Sequence, residues 1–128
     1  MAEKMILVDS NIIFDYYNGI EKAKNQLTPI GFKNLCISSI TYQEAIFGAL
    51  NKNDLSKWLK HLDNYSLLKV NSEITDTAIQ LMKKYVLSHR LTLPDSLIAA
   101  TAIHYSIKLF TYNLDDFRYI REVDLYIL

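Results

Sequence analysis

Ile6-Leu7-Val8-Asp9-Ser10-Asn11-Ile12-Ile13 decides how the rest of the chain is read. The apolar run over residues 4–8 (Lys-Met-Ile-Leu-Val) has the length and composition of a short buried strand. Asp9 ends it, and residues 11–17 then read as a helix with Asn11 as its N-cap. A buried strand that passes at once into a helix opens a βαβ unit. An acid abutting such a strand needs a partner, because burying an unpaired carboxylate is costly.

The same alternation continues outward. Residues 21–27 form a second short helix that ends before Pro29. Residues 34–38, with Leu-Cys-Ile, form a strand, and 41–50 a helix. In 54–62, Leu55, Trp58, Leu59 and Leu62 recur at i, i+3, i+4 and i+7, the spacing of an amphipathic helix. Residues 66–70 give a third strand. Ser72 caps a long helix to about 88, and Pro94 suits the first turn of a helix running to about 105. Residues 107–111 are a fourth strand and 123–127 a fifth. Strands alternating with helices predict an α/β fold, a three-layer α/β/α domain on a central parallel sheet, its strands buried on both faces. Nothing divides the chain, so 1–128 reads as one domain.

Composition narrows the classes. Of 128 residues, 50% are hydrophobic, with only 3 Gly and 2 Pro, which suits a packed core with short loops. The formal net charge is +0, which weakens the case for a broadly basic surface holding nucleic acid by counterion release. Cys36 is the single cysteine, so there is no internal disulfide and no cysteine-based zinc site. The apolar stretch before Asp9 is too short for a signal peptide, and 96–107 falls short of the ~20 apolar residues of a membrane span. The expectation is a cytoplasmic, non-membrane protein.

The acids fall at the carboxyl ends of the strands. Asp9 follows the first strand, Glu44 lies one turn into the helix after the second, and Asp95 is in the first turn after Pro94. Asn113, Asp115 and Asp116 follow the fourth. Open parallel sheets gather their ligands at that edge. Clustered carboxylates repel one another, and a hard divalent cation removes that cost and activates water against a phosphodiester. Each acid also has a purely structural reading. Thr41 to Glu44, Thr92 to Asp95 and Asn113 to Asp116 each fit a capping box.

At these residues the sequence resembles the PIN-domain family, and within it the VapC-type toxins of toxin–antitoxin pairs. Val8-Asp9-Ser10-Asn11-Ile12-Ile13 looks like the opening motif, and Ile37-Ser38-Ser39-Ile40-Thr41-Tyr42-Gln43-Glu44 with Gly48 like the second. Pro94-Asp95-Ser96-Leu97-Ile98-Ala99-Ala100-Thr101-Ala102 looks like the third, and Thr111-Tyr112-Asn113-Leu114-Asp115-Asp116-Phe117 like the fourth. The motifs stand in the family's order and span nearly the whole chain. The resemblance implies a metal-dependent endoribonuclease, usually a homodimer, restrained by an antitoxin that docks across N-terminal helices. It assigns Asp9, Glu44, Asp95 and Asp116 as the acids holding one or two Mg²⁺ or Mn²⁺ ions. Ser10, Asn11, Thr111 and Asn113 support them, and Arg118 is the best candidate for an RNA phosphate contact. Many members carry Asp where this chain has Asn113, which predicts weaker metal affinity. For Ser10 and Thr111, turn and cap hydrogen bonding is favoured over orienting acids.

Other residues carry less. His61, His89 and His104 lack ligand spacing and read as structural. Trp58 reads as core or interface, and with Leu, Ile and Tyr of 12–17 and 54–62 it suits a groove for a partner helix. Two other functions remain. A non-catalytic PIN fold would serve as an RNA-binding or scaffold module. A phospho-acceptor receiver domain needs an acid after its third strand, where this chain has Lys69-Val70-Asn71.

Overall fold

The computed structural model describes residues 5–128, so Lys4, the expected start of the first strand, lies outside them. β1 (Ile6–Val8) runs into α1 (Ser10–Tyr17) and α2 (Glu21–Leu27). A 3₁₀ turn (Phe32–Asn34) leads to β2 (Leu35–Ser38), α3 (Ser39–Phe47) and α4 (Lys52–Leu62). β3 (Ser66–Leu68), α5 (Ser72–His89), α6 (Leu93–Tyr105) and β4 (Lys108–Phe110) follow, with a closing 3₁₀ turn at Leu114–Asp116.

The strands form one parallel sheet in the order β3-β2-β1-β4. Side chains alternate across a strand, and the core divides accordingly. Ile6, Val8, Leu35, Ile37 and Phe110 pack on one face with Ile12, Ile13, Leu27, Trp58 and Leu62 from α1, α2 and α4. Leu7, Cys36 and Leu109 pack on the other with Ile74, Leu81, Ile98 and Ala99 from α5 and α6. This is the expected three-layer α/β/α arrangement. β1 lies centrally, with β2 on one side and β4 on the other, and the connection from β1 to β2 lies on the opposite face from that between β3 and β4. Such a reversal opens a crevice at the strands' carboxyl ends.

Several local expectations are corrected. Asp9, not Asn11, caps α1, because its carboxylate already accepts from the Ser10 N–H and Asn11 falls inside the helix. Ser38, not Thr41, caps α3, with its hydroxyl accepting from the Ile40 N–H. Asn71, not Ser72, caps α5 through the Ile74 N–H. Asn113 makes no side-chain cap bond. The fifth strand contracts to one parallel bridge between Leu109 and Leu125. β3 is an edge strand with Ser66 and Leu67 exposed, so burial on both faces holds for β1 and β2 but not for it.

Candidate active site

Asp9 is held from three sides. Its N–H donates to the Phe110 carbonyl at 2.9 Å, its Oδ1 accepts from the Ser10 N–H at 2.8 Å, and its Oδ2 accepts from the Thr111 hydroxyl at 2.8 Å. Thr111 in turn accepts from the Asn113 N–H at 3.0 Å. These bonds follow from the pairing of Val8 with Phe110, which brings the residues after both strands together. Asp9 is 5% exposed. Burial pushes its carboxyl above the ordinary value, the Thr111 and Ser10 bonds pull it back, and Glu44 and Asp116 push it up again.

Glu44 comes from α3. Its Oε1 accepts from the Ser10 hydroxyl, whose oxygen stands 2.8 Å from Thr41 Oγ1. Ser10 has one hydroxyl proton, so Thr41 donates to Ser10 and Ser10 to Glu44. Thr41 and Glu44 are three positions apart on one helix and share a face. Thr41 was read from the sequence only as a cap. The i, i+3 spacing to Glu44 was the available signal for this role.

Asp95 lies in the first turn of α6, where Thr92 Oγ1 accepts from its N–H at 3.3 Å. The capping geometry is therefore real, and the acid also couples to the others. Burial, then the charges of Asp9 and Asp116, raise its pKa to about 6; Thr92 opposes and Glu44 adds a further push. Asp116 is exposed at the end of the last 3₁₀ turn. Asn113 and Asn11 are exposed, Asn113 tied in through its backbone alone.

Thus Ser10 joins Asp9 to Glu44, and the charges of Glu44 and Asp116 raise the Asp9 carboxyl while those of Asp9, Asp116 and Glu44 raise Asp95. Among the described residues, no three His, Cys, Asp or Glu side chains are drawn together tightly enough to hold an ion as they stand. Bare like charges at close range favour that looser spacing. Ser10 and Thr111 both orient acids, which reverses the expected preference for turn and cap roles alone. Arg118 pairs with Asp115 at 2.9 Å beside a concavity of about 400 Å³ that Asn113 and Asp116 also line. Cys36 is buried in the sheet with its thiol pushed up to about 12, so it is no nucleophile.

A second feature adjoins Glu44. A groove of about 340 Å³ runs between α1, α3 and α4, walled by Phe14, Tyr17, Leu50 and Trp58. Leu50 of this wall is 86% exposed, and Phe47, the last residue of α3, is 93% exposed. No described helix is long and apolar enough to cross a membrane.

A parallel sheet with acids at its switch point defines the class as an α/β/α protein with an acidic crevice at the strands' carboxyl ends. The chain belongs to the PIN-domain family, whose model matches residues 6–123. It is 32% identical over 139 residues to Ribonuclease VapC2 of Methanocaldococcus jannaschii, covering 92% of this chain and 90% of that protein. It is 31% identical over 112 residues to Ribonuclease VapC10 of Mycobacterium tuberculosis, covering 86% and 84%. Among solved structures, a toxin–antitoxin complex from Klebsiella pneumoniae superposes with a TM-score of 0.79 at 28% identity, covering 96% of this chain and 99% of that one. VapBC2 from Rickettsia felis shares the fold, with a TM-score of 0.80 at 24% identity over 95% and 97% of the two chains.

Proposed function

We propose that this chain is a metal-dependent endoribonuclease and the toxin of a type II toxin–antitoxin pair. The observation that carries the reading is that Ser10 joins two acids at the sheet's carboxyl edge, its N–H to Asp9 and its hydroxyl to Glu44, with the charges of Asp9, Asp116 and Glu44 raising Asp95 beside them. The ribonuclease names of its relatives and the toxin–antitoxin complex of its structural neighbour supply the reaction class and partner class.

The donor set suits the implied ion: all oxygen, all carboxylate, mutually repelling. Asp9, Glu44, Asp95 and Asp116 would hold one or two Mg²⁺ or Mn²⁺, hard cations that prefer such ligands. When bound, such an ion neutralises charge at the phosphate and lowers the pKa of the attacking water. The chain's own residues do the positioning. Thr111 and the Ser10 N–H fix both oxygens of Asp9, and Thr41 and Ser10 aim Glu44. Arg118 stands at the rim to meet an RNA phosphate, in exchange for its exposed pairing with Asp115. Hydrolysis breaks one P–O bond of the RNA and adds water across it.

The antitoxin occupies the groove of Phe14, Tyr17 and Trp58, which ends at Glu44 and so places a partner beside the acids. The toxin is cytoplasmic and homodimeric in this reading. The test is cleavage of a mixed-sequence RNA with Mn²⁺ or Mg²⁺ by the wild type, Asp9→Asn and Asp95→Asn, with fold checked by circular dichroism. Loss in both variants is expected, and full activity in both removes the mechanism. The open spacing of the acids favours one alternative, a non-catalytic RNA-binding or scaffold module. Calorimetric titration separates the two, since a scaffold takes up no Mn²⁺ specifically.

A further inference from the structure

An aromatic stack ties together the two segments that carry Asp95 and Asp116. His89 is the last residue of α5, just before the Thr92 cap of the helix bearing Asp95. Tyr119 follows Asp116 in the closing segment. Their rings lie 4.0 Å apart and 7° from parallel. Tyr85 meets Tyr119 and His89 edge-on at 5.2 and 6.0 Å. Tyr85 is itself buried, and its hydroxyl donates to Glu122 at 3.2 Å, so the stack stands on a fixed floor.

Ser88 Oγ lies 2.8 Å from His89 Nδ1 and sets the rotation of the imidazole. His89 is nevertheless exposed. Tyr119 stacks on one ring face, Tyr85 meets the ring at an angle, and among the described residues no second ring stacks on the other face. A purely structural stack would gain more by burying both rings. The stack also sits at the margin of the acid site, because Tyr119 lies three positions after Asp116 and His89 three before the Thr92 cap of the helix bearing Asp95. Arg90 follows directly, exposed and in the left-handed conformation with φ 58°.

We propose that the open face of His89, backed by Tyr119, seats one base of a single-stranded RNA whose backbone lies over the acids, with Arg90 beside its phosphates. Unpaired bases bind on such planar surfaces with little regard to sequence, because every base has a π-face. A flat imidazole whose Nδ1 is already engaged offers a stacking surface more than a hydrogen-bonding one. The inference rests on the ribonuclease reading, because it supplies the substrate for that site.

The experiment uses the full chain and a fluorescein-labelled mixed-sequence oligoribonucleotide. Binding is read by anisotropy with Mn²⁺ in an Asp9→Asn background, so that cleavage does not interfere. Adding His89→Ala weakens binding on the order of tenfold, and His89→Phe restores it. In the otherwise wild-type enzyme, His89→Ala raises KM by a similar factor and lowers kcat far less. Unchanged RNA affinity in His89→Ala, or no RNA binding by the Asp9→Asn protein, overturns the seat. A fall in kcat and in Mn²⁺ affinity at constant KM also overturns it, and makes the stack a positioning clasp. Absence of cleavage by the wild type would instead count against the ribonuclease reading, and the anisotropy comparison would still decide the seat. His89 is exposed at a helix end, so alanine there leaves the fold intact, which circular dichroism checks.

Discussion

Thr111 donates a 2.8 Å hydrogen bond to Asp9 across 102 positions of sequence. The bond exists because β4 pairs with β1 in parallel, so that the residues leaving both strands meet. It favours the ionised carboxylate, whereas burial disfavours it, and burial is the larger effect. Asp9 is therefore an acid whose readiness to take a cation depends on its neighbours.

Removing that bond has a definite consequence. Thr111→Val leaves Asp9 Oδ2 without its donor and raises the Asp9 pKa further. Partners that orient a metal-binding residue are worth about 10–100-fold in metal affinity or activity. Mn²⁺ affinity near neutral pH is expected to fall within that range, while Thr111→Ser retains it. Titration calorimetry of the three proteins is the check, and equal affinity for the valine variant would show that Thr111 only shapes the turn.

The Thr41–Ser10–Glu44 chain predicts non-additivity. Ser10→Ala frees Glu44 from its donor and lowers cleavage by about 10–100-fold. If Ser10 acts through Glu44, the double variant Ser10→Ala, Glu44→Ala is no worse than Glu44→Ala alone. A multiplicative loss in the double variant would mean that Ser10 acts elsewhere, for instance on RNA directly. Both proteins should stay folded, since a lost hydrogen bond to a charged group costs about 1.5–3 kcal/mol.

The strands that build the site were legible because Ile6 to Val8 and Leu35 to Ile37 are unbroken apolar runs ended by polar residues. The helix caps were less so. Asp9, Ser10 and Asn11 all have capping chemistry, as do Ser38, Ser39 and Thr41, and only backbone geometry chooses among them. Choosing Ser38 released Thr41 to serve Ser10, which no capping preference reveals. The fifth strand failed because only Leu109 exchanges bonds with it, through Asp124 and Tyr126. The coupling of Asp9 to Asp116 depends on β4 lying beside β1, a long-range fact that local patterns do not carry. The His89–Tyr119 stack joins a helix end to an irregular segment, where no periodicity exists to read.

Asp95 supplies a pH dependence of definite sign. Its pKa is raised from 3.8 to about 6 in the folded, metal-free protein. The folded state therefore holds more protons than the unfolded one between those values, and stability falls as pH rises through that window. Asp95→Asn removes the penalty. Its metal-free melting temperature should exceed that of the wild type near pH 7, by a few °C for about 1 kcal/mol in a domain of this size. Near pH 3.5 the two should converge, and saturating Mn²⁺ should narrow the gap at pH 7 by stabilising the wild type alone. Mn²⁺ uptake by the wild type should release more protons at about pH 6 than at about pH 8, since the cation displaces those still bound. A variant that is less stable than the wild type at pH 7 would show that the attraction of the Asp95 carboxylate to the N-terminus of α6 outweighs the repulsion.

The groove beside Glu44 separates two kinds of aromatic residue. Trp58 is 6% exposed and stacks on Tyr17 with ring centroids 3.6 Å apart, so it belongs to the core as much as to the groove. Trp58→Ala is expected to cost about 3–5 kcal/mol in urea unfolding, as large-to-small core changes do. Phe47 is 93% exposed, and Phe47→Ser should move stability by no more than about 0.5 kcal/mol. An exposed aromatic that contributes nothing to the fold is a natural anchor for a partner, where such side chains carry most of the binding energy. If the proposed function holds, Phe47→Ser co-expressed with a cognate antitoxin should therefore remain an active ribonuclease but escape inhibition at antitoxin levels that silence the wild type. Undiminished inhibition of Phe47→Ser would place the antitoxin on another face, because no folded-state change would then stand between the substitution and the complex.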